Sequence, residues 1–216
     1  MPIFSDTFTD TGGTCVINHT PTTGASWYTL FQASAVLVIN SAGELLINAA
    51  ANNQGHTVGA ANSPTVNDFE IGFTFANTYG GTFVVRQRLL ARLTDISNYY
   101  SAEFISTASA DNDSNIYKKV AGVRTQLASV DTGLAASNIM LFRVTDENKV
   151  LYKNGACIIS TNDNAITNLG LVGIGHGRID GNDGGRSAPG WRVDDFVVQE
   201  LDTISNFSAQ ANVYRM

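Results

Sequence analysis

A few carboxylates on predicted strands are the first residues that could do chemistry. Asp68 and Glu70 fall on one face of an alternating strand, and the next position on that face is Gly72. A retaining glycoside hydrolase needs two carboxyl groups about 5 to 5.5 Å apart, and Glu103 on a later strand could supply a partner for Glu70. A carboxylate on an exposed strand face is more commonly solvated or paired with an arginine. The sequence therefore gives no catalytic residue.

A nucleophile relay is not indicated either. The sequence contains no G-x-S-x-G run, and its three histidines, His19, His56 and His176, each stand alone in turn-rich sequence. We therefore expect a protein that is not an enzyme.

Two short acidic stretches are the candidates for a metal site. Residues 111–115 and 180–182 place oxygen-bearing side chains at every second position, but neither stretch has the Glu that closes an EF-hand loop. Asp111, Asp113 and Asp180 are weak calcium candidates, and a solvated polar turn is the alternative for each. We expect no cofactor, unless these residues hold a structural calcium ion.

Aromatic rings and arginines mark two candidate binding surfaces. Sugars stack on exposed rings, and strand alternation predicts that one ring of the Tyr99–Tyr100 pair is exposed, so both are glycan-binding candidates. Arg86, Arg88 and Arg92 share one parity of their strand. They predict either a solvated sheet face or a surface that docks a carboxylate-rich protein.

Short strands joined by polar turns must position these residues. Residues 68–75 alternate between aromatic or aliphatic and polar side chains, which predicts a central strand with an aromatic inner face. Because sequential strands usually pair, we expect residues 99–105 to neighbour the arginine strand, 82–93. Asn154-Gly155 is a strong hairpin signal. Further hairpins are predicted between 36–39 and 45–47, between 116–120 and 126–130, and between 139–144 and 150–152.

Composition favours one all-β domain with a large core. The 216 residues include 20 glycines and only 15% charged residues. The net charge of −6 argues against nucleic acid or an anionic membrane as a partner. The beginning of the chain has neither the basic nor the apolar region of a secretory signal, so we expect a soluble product of a cytoplasm. Cys15 and Cys157 are expected to be buried free thiols rather than a disulfide.

Both ends of the chain carry motifs of a known superfamily. The opening contains Asp6-Thr7-Phe8-Thr9-Asp10, Gly13-Thr14, His19-Thr20-Pro21, Gly24 and Trp27. The end contains Tyr152, Asn154 and Gly155, then the strand 170–175, then Val193-Asp194-Asp195-Phe196-Val197-Val198. These motifs resemble the concanavalin A-like lectin/glucanase superfamily in its laminin G-like jelly-roll branch, and the opening resembles such domains in phage virion proteins.

The resemblance implies a jelly-roll β-sandwich of two antiparallel sheets over residues 1–201, followed by a C-terminal tail, 202–216. It places the first strand beside the closing strand near Phe196, and Trp27 and Trp191 in the core. Glucanases of the superfamily carry a Glu-x-Asp-x-x-Glu run, which this chain has only in part.

Three functions are compatible with these features. We favour a phage virion structural protein, a capsid decoration or cement protein that reaches the virion surface after synthesis in the host cytoplasm. Its partners would be the major capsid protein or other virion proteins and further copies of itself. The interface candidates are the three arginines and the apolar tail residues Phe207, Val213 and Tyr214. A carbohydrate-binding module of a phage tail or receptor-binding apparatus is the alternative, and a glycoside hydrolase is third.

Overall fold

The fold consists of two antiparallel sheets packed face to face. The structure is a computed structural model that describes residues 2–24, 26–33, 36–47, 55–60, 63–77, 85–106, 113–177 and 192–201. In the described part of the chain, no helix has the length and apolar character needed to cross a membrane. The strands are β1 (Phe4–Asp6), β2 (Trp27–Ala33), β3 (Leu37–Ile39), β4 (Leu45–Ile47), β5 (Gly55–Ala60), β6 (Phe69–Asn77), β7 (Val85–Asp95), β8 (Asn98–Ser106), β9 (Asp113–Val120), β10 (Val123–Asp131), β11 (Ile139–Val144), β12 (Asn148–Lys153), β13 (Ala156–Asn162), β14 (Leu171–Gly177) and β15 (Arg192–Glu200).

One sheet joins the two ends of the chain. Among the described residues it has eight strands, in the order β13-β12-β11-β6-β15-β4-β3, with β1 added beside β15. Asp6 lies opposite Phe196, so the predicted pairing of the first and closing strands is confirmed. The hairpin β3–β4 is confirmed as well.

The other sheet carries the middle of the chain. Its seven described strands run in the order β10-β9-β8-β7-β14-β5-β2. The predicted pairing of the arginine strand with residues 99–105 is the pair β7–β8, and the hairpin around Gly122 is β9–β10. All the strand pairs within the two sheets are antiparallel, so the predicted all-β jelly-roll sandwich is confirmed.

The core lies between the sheets because strand alternation sends one apolar set inward from each. Phe69, Ile71, Phe73 and Phe75 of β6 are all buried, as their alternation predicts. Phe73 and Phe75 meet Phe104 of the opposite sheet edge to face, with ring centroids 5.3 and 5.6 Å apart. Burial of such rings is the main favourable term for a sandwich of this kind.

The turn at Asn154-Gly155 has the expected backbone. Asn154 and Gly155 have φ angles of 51° and 80°, the left-handed values that a two-residue type I′ hairpin requires at both positions. This turn sets the first pairs of β12 and β13, with Lys153 opposite Ala156 and Tyr152 opposite Cys157, and a register shift after Tyr152 then places Leu151 opposite Ile159.

Both cysteines are free, as expected, but neither is buried: Cys15 is partly buried and Cys157 is exposed. Cys157 is exposed because it lies on β13, at the edge of the eight-stranded sheet. Among the described residues, no strand pairs with the other side of β13. Trp27 is buried as predicted. The boundary between residues 1–201 and the tail stays a prediction, because residues 202–216 and Trp191 lie outside the described residues.

Candidate functional site

The seven-stranded sheet has one face against the core and an opposite face, which we call the outer face. Leu89, Ala102 and Ile116 are in the core, so alternation turns the adjacent residues outward. Five outward residues are cross-strand partners on five adjacent strands: Asn115, Glu103, Arg88, Gly175 and Thr57. We call them the polar row. Neighbouring strands are about 4.8 Å apart, so the polar row is a line of closely spaced polar positions.

Glu103 is the ionised centre of the polar row. Its carboxylate pairs with Arg124 at 2.6 Å, Arg88 at 3.2 Å and Arg86 at 3.4 Å, and it accepts a hydrogen bond from the Ser101 hydroxyl at 3.2 Å. Burial raises the pKa of Glu103, but attraction to Arg88, Arg124 and Arg86 outweighs this and lowers the pKa to about 2. The carboxylate is therefore a permanent hydrogen-bond acceptor and not a proton donor at neutral pH.

Glycines occupy three outer-face positions of β14 and β5, and the Tyr28 ring lies over one of them, Gly59. Gly173 lies opposite Gly59, and Gly175 lies opposite Thr57. A Cβ at Gly173 would lie 2.4 Å from the Val58 carbonyl oxygen, whereas a Cβ at Gly175 would first meet the Thr57 hydroxyl at 2.9 Å. Glycine in a strand interior often marks a close approach by another group.

Two buried, uncharged polar atoms of the polar row have no hydrogen-bond partner among the described residues. They are the Thr57 hydroxyl oxygen and the Asn115 amide nitrogen, in side chains that are 2% and 3% exposed. The Tyr28 hydroxyl beside Gly59 is a third such atom. An unsatisfied buried polar group costs about 1–3 kcal/mol, and in native proteins such groups call for an explanation such as a ligand.

The tyrosines predicted to bind glycan are both buried, so the expectation of an exposed ring is wrong. Tyr99 points to the outer face as alternation requires, but it is covered in a small cluster with Leu90 and Leu93. Tyr100 points into the core, and its hydroxyl donates to an Asp163 carboxylate oxygen at 2.6 Å. Neither ring can stack on a sugar in this fold.

The arginines do not form an exposed stripe. Arg88 and Arg92 are fully buried and Arg86 is partly buried. The register of β7 and β8 shifts between Ala91 and Asp95, and Arg92 has a φ angle of 49°. This bulge removes Arg92 from the parity of Arg88 and directs its guanidinium to the carbonyl oxygens of three other segments, at Ile166, Asn67 and Thr145. The other interface candidates, Phe207, Val213 and Tyr214, lie outside the described residues.

Glu70 and Glu103 do not meet, so the suggested carboxylate pair is wrong. Glu70 lies on β6 of the eight-stranded sheet and pairs with Arg143, whereas Glu103 lies on β8 of the other sheet. Alternation turns each away from the core, and the two carboxylates therefore face opposite sides of the sandwich.

The metal candidates are only partly described. Asp113 begins β9, opposite Asp131 and Ile105, while Asp111 and Asp180 lie outside the described residues. Among the described residues no group of three or more metal-ligating side chains comes together.

Two histidines are embedded in hydrogen-bond networks, so the expectation that they stand alone in turns is wrong. His19 lies between the carboxylates of Asp6, at 2.9 Å, and Asp10, at 3.1 Å. His176 lies on β14, where its Nδ1 atom is 2.7 Å from the Gln87 side-chain oxygen. The side chain of His56 lies outside the described part.

The motifs in the sequence do not single out Thr57, Asn115 or Gly175 as site residues. Asn115 belongs to the acidic stretch 111–115, which predicts a weak calcium site or a polar turn, and Thr57 belongs to none of these motifs. The detectable signal was the glycine spacing in His-Thr-Val-Gly-Ala and Leu-Val-Gly-Ile-Gly-His, which places side-chain-free positions on one face of two strands.

Known structures with similar folds were found, although no protein-family model and no curated protein matches the chain. The carbohydrate-binding module CBM66 from Bacillus subtilis has a TM-score of 0.58 at 13% identity, over 81% of this chain and 95% of that one. The Emp47p carbohydrate recognition domain has a TM-score of 0.58 at 11% identity, over 92% and 96%. A β-glucanase from Bacillus licheniformis has a TM-score of 0.55 at 9% identity, over 92% and 98%. The chain has the concanavalin A-like jelly-roll fold that these proteins share.

Proposed function

We propose that this jelly-roll chain is a non-enzymatic carbohydrate-binding module whose ligand contacts the polar row on the outer face. The observation that carries the proposal is the pair of buried polar atoms at Thr57 and Asn115 that have no hydrogen-bond partner within the described part of the chain. They belong to the same row as the ionised Glu103 and the side-chain-free Gly175. Sites of this kind discriminate strongly for ligands that supply the missing hydrogen bonds.

Sugar chemistry fits this arrangement. A sugar hydroxyl both donates and accepts, so it can pair with a carboxylate, an amide N–H and a threonine hydroxyl within one ring. Tyr28 and Phe31, at the β2 edge of the same sheet, are only partly buried and offer aromatic surface at the rim. Two of the similar structures bear names that describe carbohydrate recognition.

Binding rather than hydrolysis is supported by the carboxylates. A general acid must be protonated at working pH, whereas Glu103 has a pKa of about 2 because three arginines hold it ionised against the effect of burial. Glu70, its suggested partner, belongs to the other sheet.

The test is a glycan array followed by calorimetric titration of the strongest hit with the protein and with Thr57→Val. We expect Thr57→Val to weaken binding about tenfold or more, the equivalent of about 1.4 kcal/mol. The free variant should be as stable as the parent or more stable, because valine removes an unsatisfied hydroxyl while keeping the shape.

Thr74→Val is the matched control. Thr74 is partly buried on β6, on the face of the eight-stranded sheet that is turned away from the core, so the same substitution there should leave binding unchanged. Equal losses in both variants, or full affinity in Thr57→Val, would exclude the polar row as the binding site.

A role in a virion stays a prediction from the opening motif. The same holds for the capsid partners, the homo-oligomer, the structural calcium and the location on the virion surface. Mass spectrometry of purified particles tests the location: many copies in the head support decoration of the capsid, and absence from particles contradicts it.

A further inference from the structure

A second polar site lies at one end of the sandwich, away from the polar row. Lys149 of β12 is fully buried, and its ammonium nitrogen donates to three backbone carbonyl oxygens. These belong to Asp163 at 2.7 Å, Thr145 at 3.0 Å and Asp146 at 3.3 Å. The Tyr100 ring covers the same nitrogen, with its centroid 4.7 Å away. Three carbonyls and one aromatic face thus enclose a single positive atom.

The three carbonyls come from two separate segments. Thr145 and Asp146 belong to the turn between β11 and β12, and Asp163 follows β13. Lys149 therefore holds two connections together from inside the fold. Convergent carbonyl oxygens are the group with which proteins replace the hydration shell of a monovalent cation.

The charges around the site favour a monovalent cation over a divalent one. Arg92 also donates to the Thr145 carbonyl, at 3.2 Å, and so lies beside Lys149. The Asp163 carboxylate is already engaged, because it accepts hydrogen bonds from Lys118 and Tyr100. Calcium prefers six to eight oxygen ligands with several carboxylates. Neutral carbonyl oxygens beside an arginine therefore suit a singly charged cation better than calcium.

We propose that the Lys149 ammonium is a built-in substitute for a bound monovalent cation, and that this carbonyl cage accepts free ammonium or potassium once the lysine side chain is shortened. The native chain then needs no added cation to order this end of the sandwich. This inference is independent of the proposed carbohydrate function.

The experiment compares three variants in sodium, potassium, ammonium and ethylammonium chloride at equal ionic strength. Lys149→Ala removes the ammonium group from the carbonyl cage and leaves empty the space that the aliphatic part of the lysine side chain occupied. Lys149→Met removes the positive charge but keeps the space of the aliphatic side chain filled. Lys153→Ala removes another ammonium that donates to two carbonyls, those of Thr132 and Gly133, but at a partly exposed position. The Tm of every variant is measured in each salt, and only the Tm of Lys149→Ala can report occupancy of the cage.

We expect Lys149→Ala alone to gain Tm on addition of potassium, ammonium or ethylammonium, with a saturable rise of about 2–4 °C or more relative to sodium. Nuclear magnetic resonance of isotope-labelled ammonium should give cross-peaks to the Tyr100 ring protons in this variant. The native protein should show neither effect. If Lys149→Ala does not fold in sodium, recovery of refolded protein on adding ethylammonium is the same test.

Two results would overturn the proposal. One is a Tm or refolding yield of Lys149→Ala that does not depend on the cation. The other is an equal response in Lys153→Ala or Lys149→Met, which would identify a general salt effect.

Discussion

Single residues of this protein carry charge in unusual surroundings, and Asp194 is an example. It lies on β15 opposite Thr74, and its carboxylate accepts a hydrogen bond from the Asp195 N–H at 2.8 Å. Burial raises the pKa of Asp194 to about 6, and the nearby charges of Asp195, Glu44 and Asp6 add to the rise while the N–H opposes it. The folded state therefore binds a proton here more tightly than the unfolded chain does.

This predicts the effect of Asp194→Asn on stability. A raised folded pKa contributes stability that is fully present below about pH 4 and is lost as the pH rises through about 6. Above pH 7 the ionised carboxylate is a cost that asparagine lacks. We expect Asp194→Asn to be more stable than the parent by about 1–2 kcal/mol at pH 8, allowing for partial solvent screening, and nearly equal at pH 4.

Urea unfolding at both pH values measures the effect, with Asp195→Asn as the control. Asp195 is exposed and has a φ of 53°, which asparagine tolerates, so its substitution should change stability much less. A gain from Asp194→Asn that is the same at pH 4 and pH 8 would contradict the proposed charge effect.

At the scale of elements, alternation predicted side-chain direction well and burial less well. The inner face of β6 and the outward direction of Tyr99 follow from the two-residue repeat of side-chain direction along a strand. The burial of Tyr99 depends on Leu90 and Leu93. Leu90 is on the outer face by alternation, whereas Leu93 reaches it through the register shift in β7. That shift rests on the backbone of Arg92, and a periodic pattern carries no sign of it.

The close pairing of β5 and β14 depends on glycine, and this predicts two different outcomes. A Cβ at Gly173 would press on the Val58 backbone, which cannot move without separating the strands. We expect Gly173→Ala to lower the free energy of unfolding by about 1–3 kcal/mol. At Gly175 the first contact is the rotatable Thr57 side chain, so Gly175→Ala should cost less stability.

Chemical denaturation of both variants, with glycan titration of Gly175→Ala, separates the two roles. Gly175→Ala should fold and lose affinity, because its methyl group occupies the space beside the Thr57 hydroxyl. Greater destabilisation by Gly175→Ala than by Gly173→Ala would contradict the contacts described.

At the scale of the whole molecule, the resemblance at both ends of the chain predicted which strands meet, and the structure explains why those residues are used. Asp6 accepts hydrogen bonds from the Trp27 indole at 2.6 Å and the Phe8 N–H at 2.8 Å, and its carboxylate is 2.9 Å from His19 Nε2. Phe196 of the closing strand packs on Trp27 with ring centroids 5.0 Å apart. The carbonyl cage at Lys149 could not be predicted, because it joins segments that meet only in the folded chain.

Asp6 is thus the hub that ties the opening of the chain to its closing strand, and its removal should affect the whole domain. Asp6→Ala leaves the Trp27 indole N–H and the Nε2 atom of His19 buried without the carboxylate they share, and each buried polar group left without a partner costs about 1–3 kcal/mol. Asp10→Ala removes the other carboxylate of His19, but Asp10 is exposed, so we expect a much smaller loss of stability than for Asp6→Ala. Urea unfolding followed by tryptophan fluorescence measures both, since Trp27 reports directly on the hub. Similar losses in the two variants would mean that the end-to-end closure depends on β1–β15 pairing and ring packing rather than on the buried carboxylate.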